Sequence, residues 1–134
     1  MTVSLAKNSI DLGIIIQDAD ASLHFYRDVL GLELVGVVNL SDGATMYRLV
    51  CGESILKLIK HDPVPTTTSP PGGWKVAIGI RYFTLSISNL AEVTAACADA
   101  GYDVIWNMQE VRPGVTVSMV EDPDGNWVEF LSVP

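Results

Sequence analysis

The sequence predicts an α+β fold made of two tandem βαβββ motifs. Three observations carry that expectation. First, the order of apolar strands and one capped helix occurs twice along the 134 residues. Second, each helix is bounded the same way, by polar N-cap candidates before it and a glycine after it. Third, the two copies are separated by a stretch rich in Pro, Thr and Gly that cannot continue regular structure.

In the first copy, residues 10–60, Ile10–Ile16 (IDLGIII) is apolar and β-branched and reads as a strand. Asp18 and Asp20 can cap a helix running to about Leu30. Leu23, Tyr26, Val29 and Leu30 form its apolar stripe and Gly31 its C-cap. Strands follow at Glu33–Val38, Thr45–Val50 and Ser54–Lys60, with turn signals at Ser41–Gly43 and Cys51–Gly52. In the second copy, residues 81–133, Arg81–Ile87 reads as a strand and Ser88 or Asn89 as the cap of a helix to about Ala100. Gly101 closes that helix. Strands are expected at Tyr102–Trp106, Val115–Val120 and Asn126–Ser132. Residues 61–80 form the linker, opening with HDPVPTTTSPPGGWK. Neither copy can bury both faces of its sheet alone, so the two are expected to form one domain around a cleft.

Bulk properties narrow the function. Net charge is −8, with eight Lys and Arg against sixteen Asp and Glu, which argues against nucleic acid as a partner. A membrane-spanning helix needs roughly 20 consecutive apolar residues, and the longest apolar runs here are far shorter. Met1–Asn8 does not read as a secretory signal. Cys51 and Cys97 lie in apolar surroundings without metal-type spacing, and a cytoplasmic protein with two reduced thiols is expected.

Two motifs carry a resemblance to a known family. DADASLHFYRDVLGLEL, from Asp18 to Leu34, resembles a helix opening followed by FYxxxLGLxL. EDPDGNWVEF, from Glu121 to Phe130, resembles the closing DPDGNxxE strand. Together they are similar to the vicinal oxygen chelate superfamily of glyoxalases, bleomycin resistance proteins and extradiol dioxygenases. The resemblance runs from about Ile10 to Val133. It implies a half-open barrel around a central cleft, a small-molecule substrate or ligand, and a homodimer.

It also implies four metal-ligand positions, occupied here by Asp11, Lys57, Tyr82 and Glu129. The spacing is consistent between copies, 71 residues from Asp11 to Tyr82 and 72 from Lys57 to Glu129. These side chains suit a transition metal poorly, because a lysine ammonium has no lone pair and a phenol ligates weakly. His24 and His61 fall outside the pattern, so dioxygenase chemistry, which typically uses two His and one carboxylate, is not expected. No cofactor is expected; a divalent metal, if bound, would rest on Glu129 and Asp11.

Two readings of the cleft stay open. In one, a metal-free isomerase, epimerase or lyase uses a carboxylate of raised pKa, Asp11 or Glu129, as base next to a carbonyl. Lys57 or Tyr82 then steadies the oxyanion. In the other, as in the bleomycin-resistance branch, the cleft only binds a ligand, for which the acidic charge suits a cation. A metal-dependent lyase on Asp11 and Glu129 is a third. Asp11 could instead cap a turn, and Lys57 could extend to solvent. Trp127, Trp74, Trp106, Tyr47 and Arg48 are candidate substrate contacts, with Met46, Met108 and Met119 as further wall candidates. Of Tyr47 and Arg48, neighbours on one strand, only one can point inward. Arg48 and Arg81 are candidates for binding a carboxylate.

Overall fold

The computed structural model describes residues 1–134, which divide into two compact units, Met1–Thr66 and Thr67–Pro134. Each is a βαβββ motif. In the first unit, β1 (Leu12–Ile16) leads into α1 (Ala19–Leu23), then β2 (Glu33–Asn39), β3 (Thr45–Cys51) and β4 (Ser54–Lys60). The sheet order is β1-β4-β3-β2, with β1 parallel to β4 and the other pairs antiparallel. The second unit repeats it with β5 (Tyr82–Ser86), α2 (Leu90–Asp99), β6 (Val104–Arg112), β7 (Val115–Glu121) and β8 (Trp127–Ser132). Its order is β5-β8-β7-β6, with β5 parallel to β8.

In each unit a helix seals one sheet face. Leu49 and Leu58 are fully buried on the first sheet, and Ile16 and Leu56 nearly so, as are Phe25 and Tyr26 of the helical segment. The segment is less regular than the sequence suggests. After α1 the chain winds as a π-helix over His24–Val29, with Leu30 N–H donating to Phe25 O at 3.0 Å, five residues back. That wider turn brings the consecutive side chains of Phe25 and Tyr26 into the core in edge-to-face contact, centroids 4.7 Å apart. The expected stripe therefore gains Phe25, while Val29 and Leu30 stay half-exposed. Asp18 does cap α1, accepting from Ala21 N–H. Gly31, at φ 78°, ends the segment, and Leu32 N–H returns to Tyr26 O. On the second sheet Thr94 of α2 hydrogen-bonds Ser118 of β7 at 2.8 Å, which fixes the helix-side face.

Element edges differ from expectation in two informative places. β1 begins at Leu12, not Ile10, because the Asp11 carboxylate takes the Ile55 N–H, a donor a longer β1 would have paired through its backbone. β6 runs on to Arg112, well past Trp106. Its alternation breaks where the register shifts between Trp106 and Gln109, and Met108 there adopts φ 46°. No helix is long and apolar enough to cross a membrane. Cys51 and Cys97 are free thiols, and burial pushes Cys97 up to about 11.

Leu58 sits at the centre of the sealed face with no exposed surface. Leu58→Ala is expected to cost about 2–5 kcal/mol, read as a lowered urea midpoint with little change in slope.

Candidate functional site

With one face of each sheet largely covered by its helix, the candidate side chains divide between that face and the other, helix-free one. Strand register identifies them. In the first unit Arg48 pairs with Lys57, and Lys57 with Gly13, so Arg48 and Lys57 share the helix-free face. Tyr47 pairs with Leu58 and faces the other way. It lines a cleft of about 420 Å³ beside the start of α1, together with Asp18, Asp20, Lys60 and Asp62. The choice between Tyr47 and Arg48 is thus resolved: Arg48 stands beside Lys57, and Tyr47 does not.

Asp11 precedes β1. Its carboxylate accepts from Lys7 Nζ at 2.7 Å and from Ile55 N–H at 2.8 Å. Lys7 also donates to Glu53 O, as does Ser9 Oγ, so the N-terminal segment is tied to the β3–β4 turn. The Lys7 hydrogen bond, helped by the Ile55 amide, holds the Asp11 carboxyl below its ordinary value of 3.8. A base with a raised pKa was expected among the two carboxylates. Asp11 has the opposite shift, because it is paired rather than desolvated.

In the second unit Glu129 pairs across to Thr84 and Met119, and Met119 to Trp106. Thr84 Oγ1 donates to Glu129 Oε1 at 2.7 Å. Trp127, two residues before Glu129, shares its face and pairs with Tyr82. Around them the aromatic candidates assemble. Trp74 contacts Trp106 edge-to-face with centroids 4.8 Å apart, Trp106 contacts Trp127 at 6.0 Å, and Trp74 contacts Tyr82 at 5.8 Å. Met119 is fully buried, Trp127 buried, and Tyr82 and Trp74 remain partly exposed. Met108, at the bulge, is exposed, and Met46 shares the helix-free face of the first sheet.

Two parts of this site have roles that their motifs or composition alone do not state. The linker is not slack: a short 3₁₀ turn at Gly73–Lys75 lays Gly73 against the Trp127 ring. Arg81 anchors it, donating to Gly73 O at 2.8 Å, to Ser69 Oγ at 2.9 Å and to Pro70 O. Arg81 is therefore a loop tie, and its guanidinium is already committed. The second part is Asp122 of the DPDGN turn. It is 5% exposed and accepts from the backbone N–H groups of Asp124 and Asn126 and from Asn126 Nδ2, at 2.8–2.9 Å. That turn fixes the pairing of Glu121 with Trp127, and hence of Met119 with Glu129. Trp127 Nε1 closes the arrangement by donating to Glu121 Oε1 at 3.2 Å.

The donor set does not suit a divalent metal. Asp11 is engaged by an ammonium and an amide, and the remaining positions offer an ammonium, a phenol and one carboxylate.

Two βαβββ units, each closed by a DPDGN-type or glycine turn before its last strand, define a recognised class of small α+β protein. The sequence model of the Glyoxalase/Bleomycin resistance protein/Dioxygenase superfamily matches residues 9–130, and the chain belongs to that superfamily. Solved structures agree on the fold. A glyoxalase family protein from Bacillus cereus is 16% identical with a TM-score of 0.80, covering 97% of this chain and 99% of that one. A glyoxylase/bleomycin resistance protein/dioxygenase domain from Frankia sp. is 19% identical at TM-score 0.79, covering 98% and 94%. The trypanothione-dependent glyoxalase I of Leishmania major is 20% identical at TM-score 0.73, covering 95% and 87%. At such identities the likeness is one of fold. No curated protein matches the chain.

Gly73 has φ 77°, and a Cβ there would overlap the Trp127 ring, so Gly73→Ala should displace the loop or the indole. A shifted tryptophan emission maximum and a loss of about 1–3 kcal/mol are expected. For Asp11, a lowered folded pKa contributes stability that is present above the unfolded value and lost as pH falls through the folded one. Lys7→Met should therefore lower the urea midpoint at neutral pH, with the difference from the parent vanishing once Asp11 is protonated in both.

Proposed function

We propose that the protein is a small-molecule enzyme of the superfamily that moves a proton on carbon next to a carbonyl, without a divalent metal, using Glu129 as base. The observation that carries this is the setting of Glu129. Its carboxylate stands on a helix-free face beside buried Met119 and the tryptophans, held by one neutral donor, the Thr84 hydroxyl. Asp11, the other carboxylate of the set, is tied to Lys7 and the β4 backbone. Glu129 would take the α-proton, the C–H pair becoming the C=C bond of an enolate as the carbonyl π pair moves onto oxygen, and would return the proton to the same carbon, which gives solvent exchange or epimerisation. Tyr82, on the same face, is the candidate to steady the enolate oxygen. Thr84 is a positioning residue, fixing the carboxylate rotamer.

The test is deuterium exchange from solvent into a panel of hydroxy-carbonyl and keto-acid compounds, followed by proton NMR. Glu129→Gln should lower exchange at least ~100-fold, whereas Asp11→Asn should change stability more than rate per folded molecule. Dialysis against a chelator should leave exchange intact. Unaltered exchange in Glu129→Gln, or loss on chelation with recovery by added metal, would refute the assignment. The aromatic assembly favours a second reading, a binding protein without turnover, as in bleomycin resistance. In that case a cationic antibiotic titrated into the protein should quench tryptophan emission and be recovered unchanged.

A further inference from the structure

The helix-free face of the first sheet carries a feature that the proton-transfer reading does not use. Register places Gly36, Arg48, Lys57 and Gly13 in one row straight across β2, β3, β4 and β1. Two cations thus stand directly opposite each other on an antiparallel pair, an arrangement that is destabilising by itself. It occurs in a chain with twice as many acidic as basic residues. Neither cation makes a contact ion pair, although the charge of Lys57 is felt by the Asp11 carboxylate. Ion pairs join Lys7 to Asp11, Arg27 to Asp28 and His61 to Asp42, and the contact made by the Arg48 guanidinium is with Met46 Sδ at 3.9 Å. Asp11 lies near Lys57, but its carboxylate is held by Lys7 and Ile55 N–H.

The surroundings sharpen the case. Ile55 and Ile59 flank Lys57 on its own strand and face, Met46 and Val50 flank Arg48, and all six side chains are half-buried. Charges set in such an apolar patch are less screened than charges in water, so repulsion between them is larger and so is the gain from an anion. Both ends of the row are glycine. A Cβ at Gly13 would meet no atom within 4 Å, and one at Gly36 would meet the Arg48 side chain at 3.8 Å. Space is therefore left beside each cation.

We infer that Arg48 and Lys57 form an oxoanion site, receiving the carboxylate or phosphoryl group of a small soluble molecule. The guanidinium supplies a planar fork that fits two oxygens of either group, and the ammonium supplies a point charge beside it. The inference is drawn from the first repeat alone and does not rest on the role given to Glu129.

Titration calorimetry at fixed ionic strength tests it, with inorganic phosphate and oxalate as separate titrants and chloride as the control anion. The parent should bind at least one of the two with millimolar affinity or better, and whichever binds more tightly identifies the group as phosphoryl or carboxylate. Arg48→Met and Lys57→Met should each weaken binding at least ~10-fold, about 1.4 kcal/mol. Lys60→Met, on the opposite face of β4, should bind as the parent does. Failure here is separable from failure of the proton-transfer reading, which is scored by solvent-deuterium exchange and not by anion titration. The bound anion should also raise the melting temperature of the parent and not of the Arg48→Met, Lys57→Met double variant. If either single variant does not fold, Arg48→Lys, which keeps charge and loses the fork, replaces it, with weakened binding expected. No binding of either anion by the parent would overturn the site. So would equal losses in Lys60→Met and Lys57→Met, which would reduce the effect to net charge.

Discussion

A four-stranded sheet with one helix can hide only one of its faces, and much else in this protein depends on that shortage. Phe25 and Tyr26 in the first repeat, and Thr94 with Cys97 in the second, are spent on sealing the helix side. What remains is a strand face whose side chains are placed by backbone hydrogen bonding rather than by packing against a helix. Strand register consequently decides which residues are available for chemistry. In each repeat the last strand lies between a parallel and an antiparallel neighbour, flanked on both sides. That is where Lys57 and Glu129 stand.

The same scaffold has been filled in two opposite ways. Across the first sheet the middle row is Gly36, Arg48, Lys57, Gly13; across the second it is Trp106, Met119, Glu129, Thr84. The first is cationic and flanked by glycine. The second is acidic, walled by aromatic rings and buttressed by a hydroxyl. A repeated motif keeps hydrogen-bond register while each outward position is free to differ in chemistry, and here the two copies carry opposite sign.

Much of this was legible in the residues. Alternating apolar strands, the glycine stops at Gly31 and Gly101 and the DPDGN turn located all eight strands and both helices, and β4 was read to the residue. The departures have specific causes. Phe25 was missed because the helical stripe assumes 3.6 residues per turn and the chain uses a π turn there. β6 was cut short because a bulge at Met108 breaks the alternation on which strand reading depends. Tyr47 and Arg48 could not be told apart, since adjacent strand residues differ only by face and the face is set by pairing with β4. The engagement of Asp11 with Lys7 and of Arg81 with the 69–73 loop lies in side-chain geometry, to which spacing is blind.

Gly73 packs on Trp127, Trp127 on Trp106, and Trp106 on Trp74, and these are all the tryptophans in the chain. The molecule's near-ultraviolet optical signal is thus largely confined to one repeat. Rings at 4.8 and 6.0 Å are close enough for their excited states to mix, so the cluster should behave as one coupled chromophore rather than three. The first repeat contributes only the weaker tyrosine absorbance of Tyr26 and Tyr47. Tryptophan emission therefore comes entirely from side chains of the second repeat. Comparing that signal with far-ultraviolet circular dichroism, to which both sheets contribute, separates one cooperative transition from two.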